Sequence, residues 1–263
     1  MTQLRTLRIV DRALARLNGR DVEPPPLPLD RRDFLAAGAG LLVTTLLAAC
    51  DSAGPKGASR LLKYAENRNE VVERWLLRHT SMNHARDGWK AAGAGFPAYF
   101  ISKSVPMWNP ASNGEWALEV NGLVDKPLRL TMPELMALPR RRQRVSHFCV
   151  EGWTAVAEFT GVQVAHLVSM VRPHANAQYV DFRSFDVNYH ESWDLESATH
   201  PQTLIVYGKD GMMLPPPYGA PARLHSPVKL GYKNVKYLTG ITFMAERNGG
   251  YWSDEGYEWY GGT

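Results

Sequence analysis

Residues 144–153 read RVSHFCVEGW, a strand pattern that ends at a cysteine. The alternation from Arg144 to Val150 and its strand-forming residues predict a β-strand. Gly152 interrupts this pattern, so Cys149 is predicted at a strand end, where functional side chains are often held on a rigid element. Glu151 is two residues from Cys149, and strand periodicity would place both side chains on one face. The stretch therefore predicts a proton-carrying carboxylate beside a candidate metal ligand.

The small number of cysteines limits the possible roles of Cys149. The chain has two cysteines, Cys50 and Cys149, and a lipid-modified leader would use Cys50. Cys149 would then be an unpaired thiol in an exported protein, where thiols tend to form disulfides. From the residues alone it is either a buried structural cysteine or a reactive or metal-binding one.

The N-terminal region has the pattern of an export signal. Arg31 and Arg32 are followed by an uncharged segment, residues 34–49, which ends in the sequence LAAC at Cys50. A paired arginine before a short apolar segment resembles a twin-arginine signal, and LAAC resembles a lipobox. Residues 1–49 are therefore predicted to be a twin-arginine lipoprotein signal, with the protein lipid-anchored through Cys50 on the periplasmic face of the membrane. An uncleaved membrane anchor or a buried helix is the alternative for this segment.

The charge balance argues against nucleic-acid binding. Thirty basic and 26 acidic residues give a net charge of +4, which is small for a protein that binds phosphate backbones. The one dense basic run, RRRQR at residues 140–144, is interpreted as a solvated loop before a strand. Contact with anionic lipid headgroups is the alternative.

The remaining patterns predict an α+β fold with mixed sheets and short helices. Helices and strands do not alternate regularly, which argues against a doubly wound parallel sheet. The predicted domains are the signal at 1–49, a linker and helical segment at 50–95, and one domain at 96–263. The predicted elements are helices at 61–77 and 162–171, a strand at 116–120 that meets an Asn121-Gly122 hairpin turn, a capping box at Thr131–Glu134, and strands at 179–184, 203–207 and 235–244.

One segment near the C-terminus is suited to binding an anion. It carries five basic residues between glycines and prolines: Arg223, His225, Lys229, Lys233 and Lys236. Loop cations and free backbone N–H groups can together hold a phosphate. A basic loop surrounded by water is the alternative.

Four motifs in fixed order carry a family resemblance. They are CVEGW at 149–153, ATHPQTL at 198–204, LPPPYGAPARL at 214–224 and KLGYKNVK at 229–236. In this order they resemble the sulfite oxidase family of molybdopterin enzymes, and within it the branch of periplasmic methionine sulfoxide reductases. The resemblance covers residues 96–263.

This resemblance implies a sulfite oxidase-type molybdopterin-binding domain. It implies a mononuclear molybdenum held by one pyranopterin, with the Cys149 thiolate as the protein's metal ligand, because a soft thiolate suits such a metal. It also implies insertion of the cofactor before export. The implied cofactor contacts are Phe100, Ile101, Cys149, Ser184, Tyr218, Arg223, Asn234, Val235 and Lys236.

The implied activity is oxygen-atom transfer, most simply reduction of a sulfoxide, with Cys149 and Glu151 as the catalytic residues. Sulfite oxidases carry arginine just after the cysteine, whereas Glu151 at this place would repel sulfite. The sulfoxide reductase pattern has Asn at Tyr218 and Arg at Phe148. Sulfite-type oxidation and a non-catalytic lipoprotein binding module are the alternatives.

The resemblance also implies the partners. They are a small-molecule substrate and an electron-transfer partner in the membrane or periplasm. The sequence contains no counterpart of the family's dimerisation or haem domains, so a monomer is expected.

Overall fold

A computed structural model describes residues 59–77, 82–85 and 96–263. The predicted signal and Cys50 lie outside the described residues. The chain divides into two units, Met1–Tyr64 and Ala65–Thr263. All described residues from 65 onward belong to the second unit. Within the described ranges, no helix is long and apolar enough to span a bilayer.

The described part contains ten strands and six α-helices. The strands are β1 (Ala117–Gly122), β2 (Leu128–Thr131), β3 (Arg140–Phe148), β4 (Thr154–Gln163), β5 (Tyr179–Ser184), β6 (His190–Asp194), β7 (Leu204–Lys209), β8 (Met212–Met213), β9 (Arg223–His225) and β10 (Leu238–Met244). The helices are α1 (Ser59–Leu76), α2 (Pro110–Asn113), α3 (Met132–Ala137), α4 (Val164–Val171), α5 (Leu195–Ala198) and α6 (Tyr251–Asp254), and two 3-10 turns lie at Pro216–Tyr218 and Gly231–Lys233.

The strands form two five-stranded sheets. The first has the order β2-β1-β10-β5-β6, in which β1 and β10 are parallel and the other pairs are antiparallel. The second is antiparallel, with β3, β4 and β7 in order, and β8 and β9 both paired to β7. The predicted α+β class with mixed sheets is confirmed.

Two hydrophobic clusters support this architecture. The larger contains residues of both sheets and of α4, including Phe182, Ile241, Leu167 and Ile205. The smaller, around Phe159 on β4, packs against the partly buried rings of Phe96 and Tyr218. Those two rings also line the cavity described below, so the smaller cluster forms part of its support.

Most predicted elements are present, with boundaries shifted by a few residues. The capping box is confirmed, because the Thr131 N–H donates to Glu134 Oε2 at 2.8 Å where α3 begins. The predicted strand at 179–184 has the observed bounds of β5, and the helix predicted at 61–77 is observed as α1.

The Asn121-Gly122 turn is not formed. Strand β1 continues through both residues, which pair with Thr242 and Phe243 of β10, and β2 begins only at Leu128. Gly122 has φ +92°, and a Cβ there would lie 2.3 Å from the Phe243 carbonyl oxygen. The glycine therefore permits the close approach of β10 and does not close a two-residue hairpin.

The arginine run is also placed differently from the prediction. Arg140 to Arg144 belong to β3 itself, an edge strand that pairs only with β4, and the four arginines are exposed. Charged side chains are common on such strands because they oppose pairing with other chains. The prediction of solvent exposure was correct and the prediction of a loop was wrong.

Candidate functional site

One cavity of about 480 Å³ brings together most of the predicted site residues. Its lining includes eight of them: Phe100, Ile101, Cys149, Glu151, Tyr218, Arg223, Asn234 and Lys236. Ser184 and Val235 do not line it. The walls come from the β3–β4 connection, the start of β9, the loop after β9 and the segment around α6.

The β3–β4 turn positions Cys149 and Glu151. The Cys149 N–H donates to the Trp153 carbonyl at 2.9 Å, and the Gly152 N–H donates to the Cys149 carbonyl at 3.0 Å. Gly152 has φ +84°, a conformation that glycine adopts without strain. Strand β3 ends at Phe148, so the prediction that both side chains share a strand face was wrong.

The turn nevertheless brings the two groups close to each other. Glu151 Oε2 lies 3.9 Å from Cys149 Sγ. Trp153 Nε1 donates to the same carboxylate oxygen at 3.0 Å and so fixes its position. A carboxylate and a thiol are thus held together at one end of the cavity.

Cys149 is a free, half-buried thiol. Burial raises its pKa, and hydrogen bonds from the backbone at Glu151 and Val150 oppose this shift. Because the side chain lines a cavity, the structure does not support the alternative of a core cysteine.

Two cations at the cavity have no carboxylate partner among the described residues. Arg223 is 3% exposed, and its guanidinium donates to backbone carbonyls, at 3.1 Å to Tyr218 and 3.4 Å to Asn234. Lys236 Nζ donates to the Pro217 carbonyl at 3.1 Å. Burial lowers the pKa of Arg223 to about 10, and burial and then Arg223 lower the pKa of Lys236 to about 7. The Asp186 carboxylate on the same wall opposes the shift of Lys236 without pairing with it. Buried charge is costly without a paired counterion, so the surroundings of Arg223 and Lys236 suit an anion.

The other basic residues predicted for the anion loop have different roles. Lys229 lies 3.4 Å from Asp194, and Lys233 lies 2.5 Å from Glu191, and both lysines are fully buried. His225 is buried with Nε2 3.2 Å from His147 Nδ1. None of the three lines the cavity, so the five-residue anion site is corrected to Arg223 and Lys236. The sequence could not reveal this because it does not show which lysines meet carboxylates.

Ser184 and Val235 lie behind the cavity wall. Ser184 Oγ accepts from the Asp186 N–H at 2.9 Å, and the Asp186 carboxylate accepts from the N–H groups of Ile101 and Ser102 at 2.8 and 3.0 Å. Ser184 therefore supports the 101–102 segment through Asp186. The Val235 side chain is part of the larger core cluster.

Asn234 uses its side chain within the loop. Its Oδ1 accepts from the Ser226 N–H at 2.6 Å, and its Nδ2 donates to the carbonyls of Lys229 and Leu230, both at 3.0 Å. The side chain braces the loop that carries Lys236.

Sequence reasoning missed two polar residues, His147 and Asp186, and most of the aromatic wall. His147 lines the cavity, and its position two residues before Cys149 was the available signal. Aromatic side chains form much of the remaining wall: Phe96, Tyr99, Trp153, Tyr189, Tyr232, Tyr251, Trp252 and Tyr257. They come from separate chain segments, so only the fold assembles them.

The model of the oxidoreductase molybdopterin binding domain matches residues 103–252. This chain belongs to that family. It is 35% identical over 246 residues to the putative protein-methionine-sulfoxide reductase subunit YedZ1 of Azospira oryzae, covering 93% of this chain and 91% of the relative. It is 25% identical to the protein-methionine-sulfoxide reductase catalytic subunit MsrP of Campylobacter jejuni, covering 91% of this chain and 82% of the relative. A solved structure, the sulfane dehydrogenase SoxCD of Paracoccus pantotrophus, aligns over 50% of this chain and 38% of that chain, with 22% identity and a TM-score of 0.47.

Family membership confirms the resemblance to the sulfite oxidase family and the molybdenum-molybdopterin cofactor. The chain is a molybdopterin-dependent oxidoreductase, and the interpretation as a non-catalytic module is not retained. The cavity fits the cofactor, because its lining includes a free thiol and two cations that form no ion pair among the described residues. A soft ligand for the metal and a binding place for a phosphate are the two features that such a group requires.

Proposed function

We propose that this oxidoreductase reduces methionine sulfoxide or a similar sulfoxide by oxygen-atom transfer. The observation that carries the proposal is the cavity that joins the free Cys149 thiol to the uncompensated cations Arg223 and Lys236. The printed names of two relatives, both methionine-sulfoxide reductase subunits, support the choice of substrate.

The chain's residues would hold the cofactor from both ends of the cavity. Cys149 would ligate the molybdenum as a thiolate. Arg223 and Lys236 would bind the phosphate by charge-assisted hydrogen bonds. Further contacts would come from Phe100, Ile101, Tyr218 and the backbone of residues 234–236. Val235 would contribute only main-chain atoms. Ser184 would act indirectly, because it supports Ile101 through Asp186.

When bound, the cofactor supplies two electrons and an open coordination position that accepts oxygen. Reduction of a sulfoxide to a sulfide and water also consumes two protons, and the chain must deliver them. Glu151 is the carboxylate placed for this role, because it lies 3.9 Å from Cys149 Sγ and Trp153 holds its orientation. The aromatic wall would exclude water and pack against the apolar groups of the substrate.

The charges at the Cys149 end disfavour sulfite as the substrate. Glu151 lies beside Cys149, and the cavity's cations among the described residues are Arg223 and Lys236, which the cofactor phosphate would occupy. A dianion would meet a carboxylate without a compensating cation, whereas a sulfoxide is neutral and avoids this repulsion.

Location and partners complete the proposal. Residues 1–49 would direct export of the folded, loaded protein, and Cys50 would anchor it on the periplasmic face of the membrane through a lipid. Residues 50–95 would connect this anchor to the domain at 96–263. Electrons would come from a membrane or periplasmic partner to a monomeric enzyme. The paired arginine, the lipobox and the near-neutral charge balance support this arrangement.

The test uses protein purified after native export. We expect one molybdenum per chain and reduction of methionine sulfoxide by a reduced viologen dye, with sulfite oxidation by ferricyanide much slower. Cys149→Ser should fold, lose or alter the metal and show no turnover. Sulfite oxidation without sulfoxide reduction would overturn the substrate, and full activity of Cys149→Ser would overturn the role of the thiol.

A further inference from the structure

His147 is a polar part of the cavity wall to which the proposed function assigns no role. Its side chain is 5% exposed and lines the cavity two residues before Cys149. The rings of Phe96 and Trp153 stand 5.0 and 5.7 Å from its own, measured between ring centroids. Packing on these two sides holds the imidazole in one place.

A second histidine stands behind the first. His225 is fully buried, and its Nε2 lies 3.2 Å from His147 Nδ1. The Phe159 ring packs against it with a centroid separation of 4.0 Å. His225 Nδ1 has no hydrogen-bond partner among the described residues. Neither ring has a carboxylate partner among the described residues, and a buried charge without one is costly, so both rings are neutral.

The contact between His147 Nδ1 and His225 Nε2 has room for only one hydrogen. The nitrogen that carries this hydrogen determines the tautomer of both neutral rings. If His147 donated this hydrogen, the hydrogen of the His225 ring would lie on Nδ1. That N–H would then be a buried donor without an acceptor among the described residues. If His225 donates the shared hydrogen, His225 Nδ1 carries a lone pair and leaves no N–H without an acceptor. Orphaned buried donors are rarer than under-used acceptors. The second arrangement is therefore the stable one, and it leaves the hydrogen of His147 on Nε2.

Gly231 makes room for His147 Nε2 at the cavity wall. A Cβ at position 231 would lie 2.8 Å from that nitrogen, closer than a real Cβ approaches. The imidazole takes up the space that a side chain at 231 would need, and both residues line the cavity whose cations, Arg223 and Lys236, suit an anion.

We propose that His147 is a further cofactor-binding residue, which donates a hydrogen bond from Nε2 to an acceptor atom of the molybdopterin, and that His225 is the positioning residue that fixes its tautomer. The proposal depends on the cofactor and not on the sulfoxide substrate, so failure of the substrate assignment leaves it intact.

The test compares four variants of the loaded enzyme. His147→Phe removes the donor, and His147→Gln retains an N–H donor. Gly231→Ala places a methyl group against Nε2, so that the donor is displaced or covered. Gly240→Ala is the matched control, because its Cβ would meet only the Arg183 side chain, outside the cavity. The measured quantity is the rate of molybdopterin release, followed by the fluorescence of the released pterin, together with the melting temperatures of loaded and cofactor-free protein.

We expect release from His147→Phe and Gly231→Ala to be faster by roughly 2- to 10-fold, the weight of one neutral hydrogen bond. His147→Gln and Gly240→Ala should release at nearly the wild-type rate. The melting-temperature difference between loaded and cofactor-free protein should shrink in the first two variants only, which a purely structural role would not produce.

His225→Phe provides the readout for the tautomer. Nitrogen NMR of cofactor-free protein should show His147 with its hydrogen on Nε2 in the wild type and a mixture of tautomers in the variant. If His147→Phe does not fold, the release rate of Gly231→Ala tests whether Nε2 binds the cofactor. Wild-type release from whichever of the two folds overturns the proposal, as does a changed KM with unchanged release, which would assign His147 to the substrate.

Discussion

Glu191 and Lys233 form an ion pair in which neither side chain is exposed to solvent. Glu191 Oε1 also accepts from the Trp252 N–H at 3.2 Å. Tyr232 is the chain neighbour of Lys233, and Trp252 donates its N–H to Glu191. Both Tyr232 and Trp252 line the cavity. The pair therefore joins two separate segments of the cavity wall from behind.

Breaking this ion pair should be strongly destabilising. Lys233→Met leaves the Glu191 carboxylate buried without its cation, and removing one partner of a buried pair costs about 3–5 kcal/mol. The free energy of unfolding, measured in urea, should fall by that amount. The matched control is the double variant Glu191→Met with Lys233→Met, which should recover most of the loss. Equal destabilisation in the double variant would show that packing, and not unpaired charge, is responsible.

Loss of Arg223 or Lys236 should weaken cofactor retention. Each charge-assisted hydrogen bond is worth about 1.5–3 kcal/mol, so Arg223→Ala and Lys236→Ala should each weaken binding by roughly 10- to 150-fold. The measurement is molybdopterin content after extended dialysis. Arg183→Ala removes an arginine outside this cavity and should retain wild-type content. Unchanged molybdopterin content in the double variant of Arg223 and Lys236 would show that these residues do not hold the cofactor.

Lys236 should also make the stability of cofactor-free protein depend on pH. Burial, and then Arg223, lower its folded pKa to about 7, whereas the unfolded value is about 10.4. Between these values the unfolded chain binds more protons, so this group makes stability rise with pH from about 7 to about 10. The measurement is the melting temperature of cofactor-free wild type and Lys236→Met at pH 7 and pH 9. A rise of the same size in both proteins would exclude Lys236 as its source.

Replacing Glu151 should slow turnover without loss of metal. If its carboxylate delivers protons, Glu151→Gln should lower the rate of sulfoxide reduction by about 10²–10⁴-fold and flatten the pH profile. Glu158→Gln is the matched control on the adjoining strand, because that carboxylate pairs with Arg142 outside the cavity. A wild-type rate across the pH range would remove Glu151 from the mechanism, and loss of molybdenum would make its role structural.

Export and anchoring should depend on residues outside the described part of the chain. Replacing Arg31 and Arg32 by Lys should trap the protein in the cytoplasm, and Cys50→Ala should prevent lipidation and release it from the membrane fraction. Cell fractionation with labelled fatty acid measures both effects. Ser52→Ala, two residues after Cys50, is the control for a change next to the lipobox, and it should remain membrane-bound. A Cys50→Ala protein that fractionates like the wild type would refute the lipid anchor.

Local patterns predicted many elements of this fold correctly. Strand alternation at residues 179–184 and the capping box at Thr131 are local signals, and both correspond to observed elements. Asn121-Gly122 was misinterpreted because its glycine serves a contact with β10, which lies more than a hundred residues further along the chain. A pattern in a short window cannot show such a contact.

Sequence motifs alone predicted the family, the cofactor and the importance of Cys149, because the order of such motifs can be read along the chain. Tertiary structure decided which charges remain free: it buried Lys229 and Lys233 against carboxylates and left Arg223 and Lys236 without them. It also placed His225 behind His147 and turned Glu151 toward Cys149. Pairing and burial are set by distances between segments remote in the chain, and these distances exist only once the two sheets have packed.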